Sequence, residues 1–119
     1  MKGENPIQTK SYNFALRIVK LYSYLCDEKN EFVLSKQILR SGTSIGANIE
    51  EAIGGQSNRD FLSKMSIAYK EARETHYWLR LLRDSCMLDA KHADSVIEDC
   101  EELLKLSGSI IKTTKTKIS

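Results

Sequence analysis

From Phe61 to Cys86 the chain sets an apolar or small residue at alternating steps of four and three: Phe61, Met65, Ala68, Ala72, Thr75, Leu79, Leu82 and Cys86. An α-helix puts such positions on one face, whereas a strand would scatter them over both. The spacing predicts one helix over 58–87, opened by the capping pair Ser57 and Asp60. At 1.5 Å per residue it would be roughly 45 Å long. A rod of that length cannot bury its stripe alone, so the rest of the chain has to supply partners of similar length.

Three further segments carry the helical period. Phe14, Ile18, Leu21 and Leu25 share a face over 11–27, and the polar run DEKNEF then reads as a loop. Leu34, Ile38, Gly42, Ile45, Ile49 and Ala52 form the stripe of a helix over 35–53, with Gly54 and Gly55 expected to end it in the left-handed conformation. Ala93, Val96, Ile97, Cys100, Leu103, Leu104, Ser107, Ile110 and Ile111 do the same over 90–111, behind Asp89 as N-cap. The tail 112–119, KTTKTKIS, is polar and is expected to fray. Four amphipathic helices with short connections predict an all-α, antiparallel up-down-up-down four-helix bundle, one domain spanning residues 1–119.

The second helix contains an apparent weakness. Gly42 falls in the middle of its apolar stripe and Gly46 at the edge, each costing roughly 1 kcal/mol against alanine. Bare positions there let a neighbouring backbone or a large side chain come close. On one flank of that stripe lie Arg40, Ser44, Asn48 and Glu51; on a matching flank of the third helix lie Ile67, Glu71, Glu74, Trp78 and Leu81. With a tight turn near residues 55 and 56, Arg40 comes level with Glu71 and Ser44 with Ile67. An Arg40–Glu71 contact is expected, with Ser44 and Asn48 bonded to backbone or to each other. A pair of carboxylates can be catalytic. General acid–base work also needs a cleft and a nucleophile, and neither is visible. A polar network that fixes helix register is the better reading.

The stretch RSGTSIGANIEEA followed by DFLSKMSIAYKEARETHYWLRLL resembles the small four-helix bundle proteins encoded in intervening sequences of bacterial 23S ribosomal RNA genes. The resemblance covers residues 34–88. It rests on Arg40, Ser41, Ser44, Ile45, Ala47, Asn48 and Glu51, then Phe61, Ile67, Ala68, Lys70, Glu71, Glu74, Tyr77, Trp78 and Leu79. Many members read glycine where this chain has Ala52. The resemblance implies a four-helix bundle without enzymatic activity, and a homo-oligomer, since some members are ring-like homopentamers. A related bundle accompanies the reverse transcriptase of diversity-generating retroelements and binds nucleic acid. RNA, DNA and a reverse-transcriptase-type protein are therefore the partners that it implies.

Other chemistry finds little footing. Cys26, Cys86 and Cys100 are odd in number and not at CxxC spacing, so they read as small buried apolar residues rather than disulfides or zinc ligands. Neither His76 nor His92 sits in the Glu-x-x-His pattern of di-iron bundles. No phosphate-binding glycine loop is present, and no cofactor is implied. No apolar run is long enough to cross a bilayer and no secretory signal is visible, so a cytoplasmic protein is the default expectation.

The formal charge is only +2, but its distribution is uneven. In an up-down-up-down bundle the N-terminus, the loop at 54–58 and the C-terminus share one end. That end gathers Lys2, Lys10, Arg59, Lys64, Lys112, Lys115 and Lys117, while Asp27, Glu28, Glu31, Asp84 and Asp89 mark the other. The basic end is a candidate nucleic-acid surface through Lys10, Arg59, Lys64, Lys112, Lys115 and Lys117. The alternative is an assembly or adaptor module for another protein, with an interface at Trp78 or at exposed Leu39 and Leu62.

Overall fold

The computed structural model describes residues 5–118. Four helices follow one another: α1 (Pro6–Lys29), α2 (Leu34–Ile53), α3 (Asn58–Asp84) and α4 (Ala90–Ile118). Each packs against the next, and α4 closes back on α1 across the thinnest seam, giving an up-down-up-down bundle of 47 × 27 × 22 Å. Among the described residues there is no strand.

The stripes read from the sequence form the core. Ile18, Leu25, Ile38, Ile49, Ala68, Leu79, Leu82, Ala93 and Cys100 are wholly buried. Gly42 and Gly46 have distinct neighbours. A Cβ at 42 would lie 2.8 Å from Ile18 Cγ1, and one at 46 would lie 3.3 Å from the Ser11 carbonyl oxygen. The bare face of α2 therefore seats a side chain of α1 at one glycine and its backbone at the other.

The ends of the elements depart from the sequence reading in several places. α1 starts at Pro6, five residues early, because Asn5 accepts from the Ile7 and Gln8 amides and proline occupies the first helical position. α4 runs to Ile118 instead of fraying at 112, because Thr114 continues the stripe, is buried, and donates to the Ile110 carbonyl. α3 stops at Asp84, and Cys86, expected on its buried stripe, is exposed with φ 67°. The Met87 and Cys86 amides donate to the carbonyls of Leu82 and Arg83, a Schellman closure with Cys86 as its left-handed residue. Gly54, by contrast, has φ −84° and is not left-handed. Gly55 is not left-handed either; a Cβ there would lie 2.8 Å from Asp60 Oδ2, the movable end of an exposed side chain, and 3.0 Å from the Ala52 carbonyl oxygen.

The α1–α2 turn is tied down by one side chain. The Glu31 carboxylate accepts from the Val33, Leu34 and Ser35 amides at 3.1, 2.9 and 2.7 Å, capping α2 in place of the uncapped Val33. Burial alone would raise the Glu31 carboxyl. The backbone donors outweigh it and hold the group below its ordinary value.

Candidate functional site

Two surfaces bear on function, and the register between helices builds both. On the α2–α3 flank the expected Arg40–Glu71 ion pair is present at 3.2 Å. The guanidinium also pairs with Glu74, one helical turn on, so it spans both carboxylates. Glu74 accepts from Trp78 Nε1 at 3.0 Å as well. The Arg40 bond first and the Trp78 bond second hold the Glu74 carboxyl below its ordinary value, and the Glu74 bond holds Arg40 above its own. Asn48 donates to the Ser44 carbonyl at 2.9 Å, and Ser44 to that of Ser41 at 3.0 Å. Glu51 reaches across to Lys64 at 2.9 Å.

Beneath this flank lies a bond that the sequence reading missed. The Thr75 hydroxyl lies 2.8 Å from the Ser41 hydroxyl and donates to the Glu71 carbonyl at 2.8 Å, with both residues fully buried. Thr75 stands on the apolar stripe where a Val would fit, and Ser41 follows Arg40 directly; together those were the available signals. Trp78, expected as an interface anchor, is half-buried against the core and bonded within its own helix. Leu39 and Leu62, expected to be exposed, are also half-buried, Leu39 against the core.

The second surface is basic. Lys2 lies outside the described residues. Lys10 pairs with Glu102 at 3.1 Å and Lys64 with Glu51, so neither offers a bare charge to a ligand. Arg59, Lys112 and Lys117 are exposed and enter no ion pair among the described residues. Lys115 is also exposed. Because α4 stays helical to Ile118, these lysines are held at fixed angles, with Lys112 and Lys115 near one side and Lys117 on another.

Helix register adds residues from the middle of α3. His76 bonds Glu101 at 3.0 Å and Arg83 bonds Asp94 at 2.9 Å, which sets the level of α3 against α4. On that register Lys105 comes level with Arg73, and Lys112 lies about two turns nearer the basic end. Lys70, Arg73, Tyr77 and Arg80 follow at helical spacing along the exposed side of α3. Arg73 and Arg80 line a shallow cleft of about 160 Å³ with Tyr69, His76 and Leu104. Helical spacing alone does not single out Arg73 and Arg80, because which α4 side chains lie opposite them is set only by the inter-helix register.

A further cleft, of about 240 Å³, follows the α1–α4 seam, bridged by Lys10–Glu102 and by Arg17–Asp99 at 2.7 Å. Among the described residues no three His, Cys, Asp or Glu side chains gather as a metal site, and no helix is long and apolar enough to cross a membrane.

The family model described as "23S rRNA-intervening sequence protein" matches residues 4–109. A crystal structure of a protein with unknown function, from the S23 ribosomal protein family of Bacteroides thetaiotaomicron, matches with a TM-score of 0.89. The two are 54% identical, over 91% of this chain and 96% of that one. A comparison with curated proteins finds no match. Likeness of that extent in both sequence and fold goes beyond a shared helical architecture, and the chain belongs to the 23S rRNA-intervening sequence protein family.

Proposed function

We propose that this bundle is a non-enzymatic homo-oligomer that binds RNA or another nucleic acid. The observation that carries the reading is the half of the α3–α4 face nearest the basic end. Arg59, Lys70, Arg73, Lys105 and Lys112 are exposed there and enter no ion pair among the described residues. Exposed cations outside any ion pair attract phosphates and bind them by releasing counterions. Lys105, which shares a cleft with Glu98, Asp99, Glu101 and Glu102, adds the least to that attraction.

The oligomer has its own support in α1. Tyr12, Leu16 and Val19 stand at steps of four and three on the side away from the core, 61, 49 and 45% exposed. A contiguous apolar ladder of this kind fits a contact with another subunit. It equally favours the second reading, a module for a different protein partner.

Fluorescence anisotropy with a labelled RNA tests the first reading. Affinity should fall steeply with salt and fall further when Arg73, Lys105 and Lys112 become glutamine. Lys10→Gln and Lys64→Gln, which remove charges already paired, should change it little. A binding curve indifferent to salt and to all five changes would sink the nucleic-acid reading. Sedimentation of Leu16→Glu tests the assembly: a smaller species is expected, and an unchanged profile would remove α1 from the interface.

A further inference from the structure

Resting on that reading, we infer that the α3–α4 face takes single-stranded nucleic acid, with a base stacked on Tyr77 and the flanking phosphates held by Arg73 and Arg80. Tyr77 is 49% exposed although it is aromatic and stands amid cations. Its ring is held in place. The Arg80 guanidinium lies over the ring, 5.7 Å from its centroid, and Trp78 makes a T-shaped contact with it at 5.2 Å and 68°. Trp78 is itself anchored by its bond to Glu74. The ring therefore loses little freedom when a ligand stacks on it.

Arg73 precedes Tyr77 by four residues and Arg80 follows it by three, so the aromatic surface lies between two guanidinium groups on one side of a helix. Alternation of an aromatic face with cations matches a strand whose bases and phosphates alternate, and stacking on a side chain tolerates any base. Both arginines also line the α3–α4 cleft with Tyr69, His76 and Leu104, while Tyr77 stands outside it on the outer side of α3. At about 160 Å³ it falls below the roughly 300 Å³ of ordinary ligand pockets. It suits one phosphate or ring rather than a whole small molecule.

A duplex fits this surface poorly. Its bases are already stacked and reach a protein ring only by flipping out, at a cost of a few kcal/mol. Groove reading needs a projecting helix or ribbon, whereas α3 and α4 are packed side by side in the bundle.

The test compares a labelled 12-residue oligo-uridine with an RNA duplex of equal length by anisotropy at one salt concentration. The single strand should bind at least about fivefold more tightly. Tyr77→Ala should weaken single-strand binding by about five- to a hundred-fold, while Tyr77→Phe keeps it within about twofold. Circular dichroism checks that the variants fold, as expected for an exposed side chain. Equal affinity for duplex and single strand, or an unaffected Tyr77→Ala alongside weakened Arg73→Gln, would overturn this inference and leave nucleic-acid binding standing. If neither nucleic acid binds, both readings fall together.

Discussion

Ile18 of α1 fills the space that a side chain at Gly42 of α2 would need. A Cβ at 42 would sit 2.8 Å from Ile18 Cγ1 and 2.9 Å from Cγ2. Both atoms branch directly from the Ile18 Cβ, and Ile18 is wholly buried, so neither can swing away. Overpacking of this kind costs about 1–3 kcal/mol. The helix gains roughly 1 kcal/mol when alanine replaces glycine. Gly42→Ala should therefore be destabilised by up to about 2 kcal/mol in urea melts. Ile18→Val keeps both clashing carbons and should not relieve it. Ile18→Ala should, so the double variant with Gly42→Ala should lose less than the sum of the two single losses. A stabilised Gly42→Ala would show that α1 can move outward at no cost.

Arg40 ties α2 to α3 through two carboxylates one turn apart. Its side chain is 52% exposed, so solvent screens the pair and the whole is worth about 1 kcal/mol. Arg40→Gln should lose about that much, with Glu71 and Glu74 left as like charges on one helix face. Arg40→Lys should recover only part of it, because an ammonium group cannot fork to two carboxylates as a guanidinium does. Thermal melts at low and high salt check both variants, and the gap to the parent should narrow as salt rises.

Glu31 gives the α1–α2 turn a pH dependence of definite sign. Its carboxyl is held below the ordinary 4.5 because the Leu34, Ser35 and Val33 amides outweigh burial. A carboxylate depressed in the folded state stabilises the fold above its unfolded value, and that contribution is lost as pH falls through the folded value. Glu31→Gln should be less stable than the parent by about 1 kcal/mol near neutrality, as for the loss of a helix cap. The gap should begin to narrow as the pH drops below 4.5 and close only below the folded value. A gap that stays constant into acid would assign the loss to the shape of the side chain rather than its charge.

The core and the α2–α3 register were legible because they rest on periodicity and on residues near one tight turn. Phe61 to Leu82 could face only one way, and the level of Arg40 against Glu71 followed from the position of the turn. The start of α1 was also written in the chain, as Asn5 before Pro6, but it lies ahead of the repeating stripe that drew the boundary. The end of α4 was hidden for a different reason. The threonines of KTTKTKIS are weak helix formers, and burial of Thr114 overrides that local preference. The α3–α4 surface required knowing which residues face each other across two long helices. That depends on His76–Glu101 and Arg83–Asp94, pairs separated by 25 and 11 residues with no turn signal to place them.

Cys86 shows where periodicity alone misleads. It falls on the four-three spacing of α3, yet it sits outside the helix at φ 67°, closing it as the left-handed residue of a Schellman turn. An L-residue pays roughly 1–2 kcal/mol for that conformation, and glycine does not. Glycine also gains freedom in the unfolded chain, which offsets part of the benefit. The Cys86 side chain is exposed and leaves no cavity when removed. Cys86→Gly should therefore raise stability, by about 0.5–1 kcal/mol, as a shift in the urea midpoint at unchanged slope. The same residue can be followed by thiol labelling. Cys86 should react in the native protein, whereas Cys100, buried beneath the Ala72 carbonyl with its thiol pushed up to about 12, should react only on unfolding. A Cys86→Gly variant with lowered stability would mean that the left-handed residue is held by more than its backbone bonds.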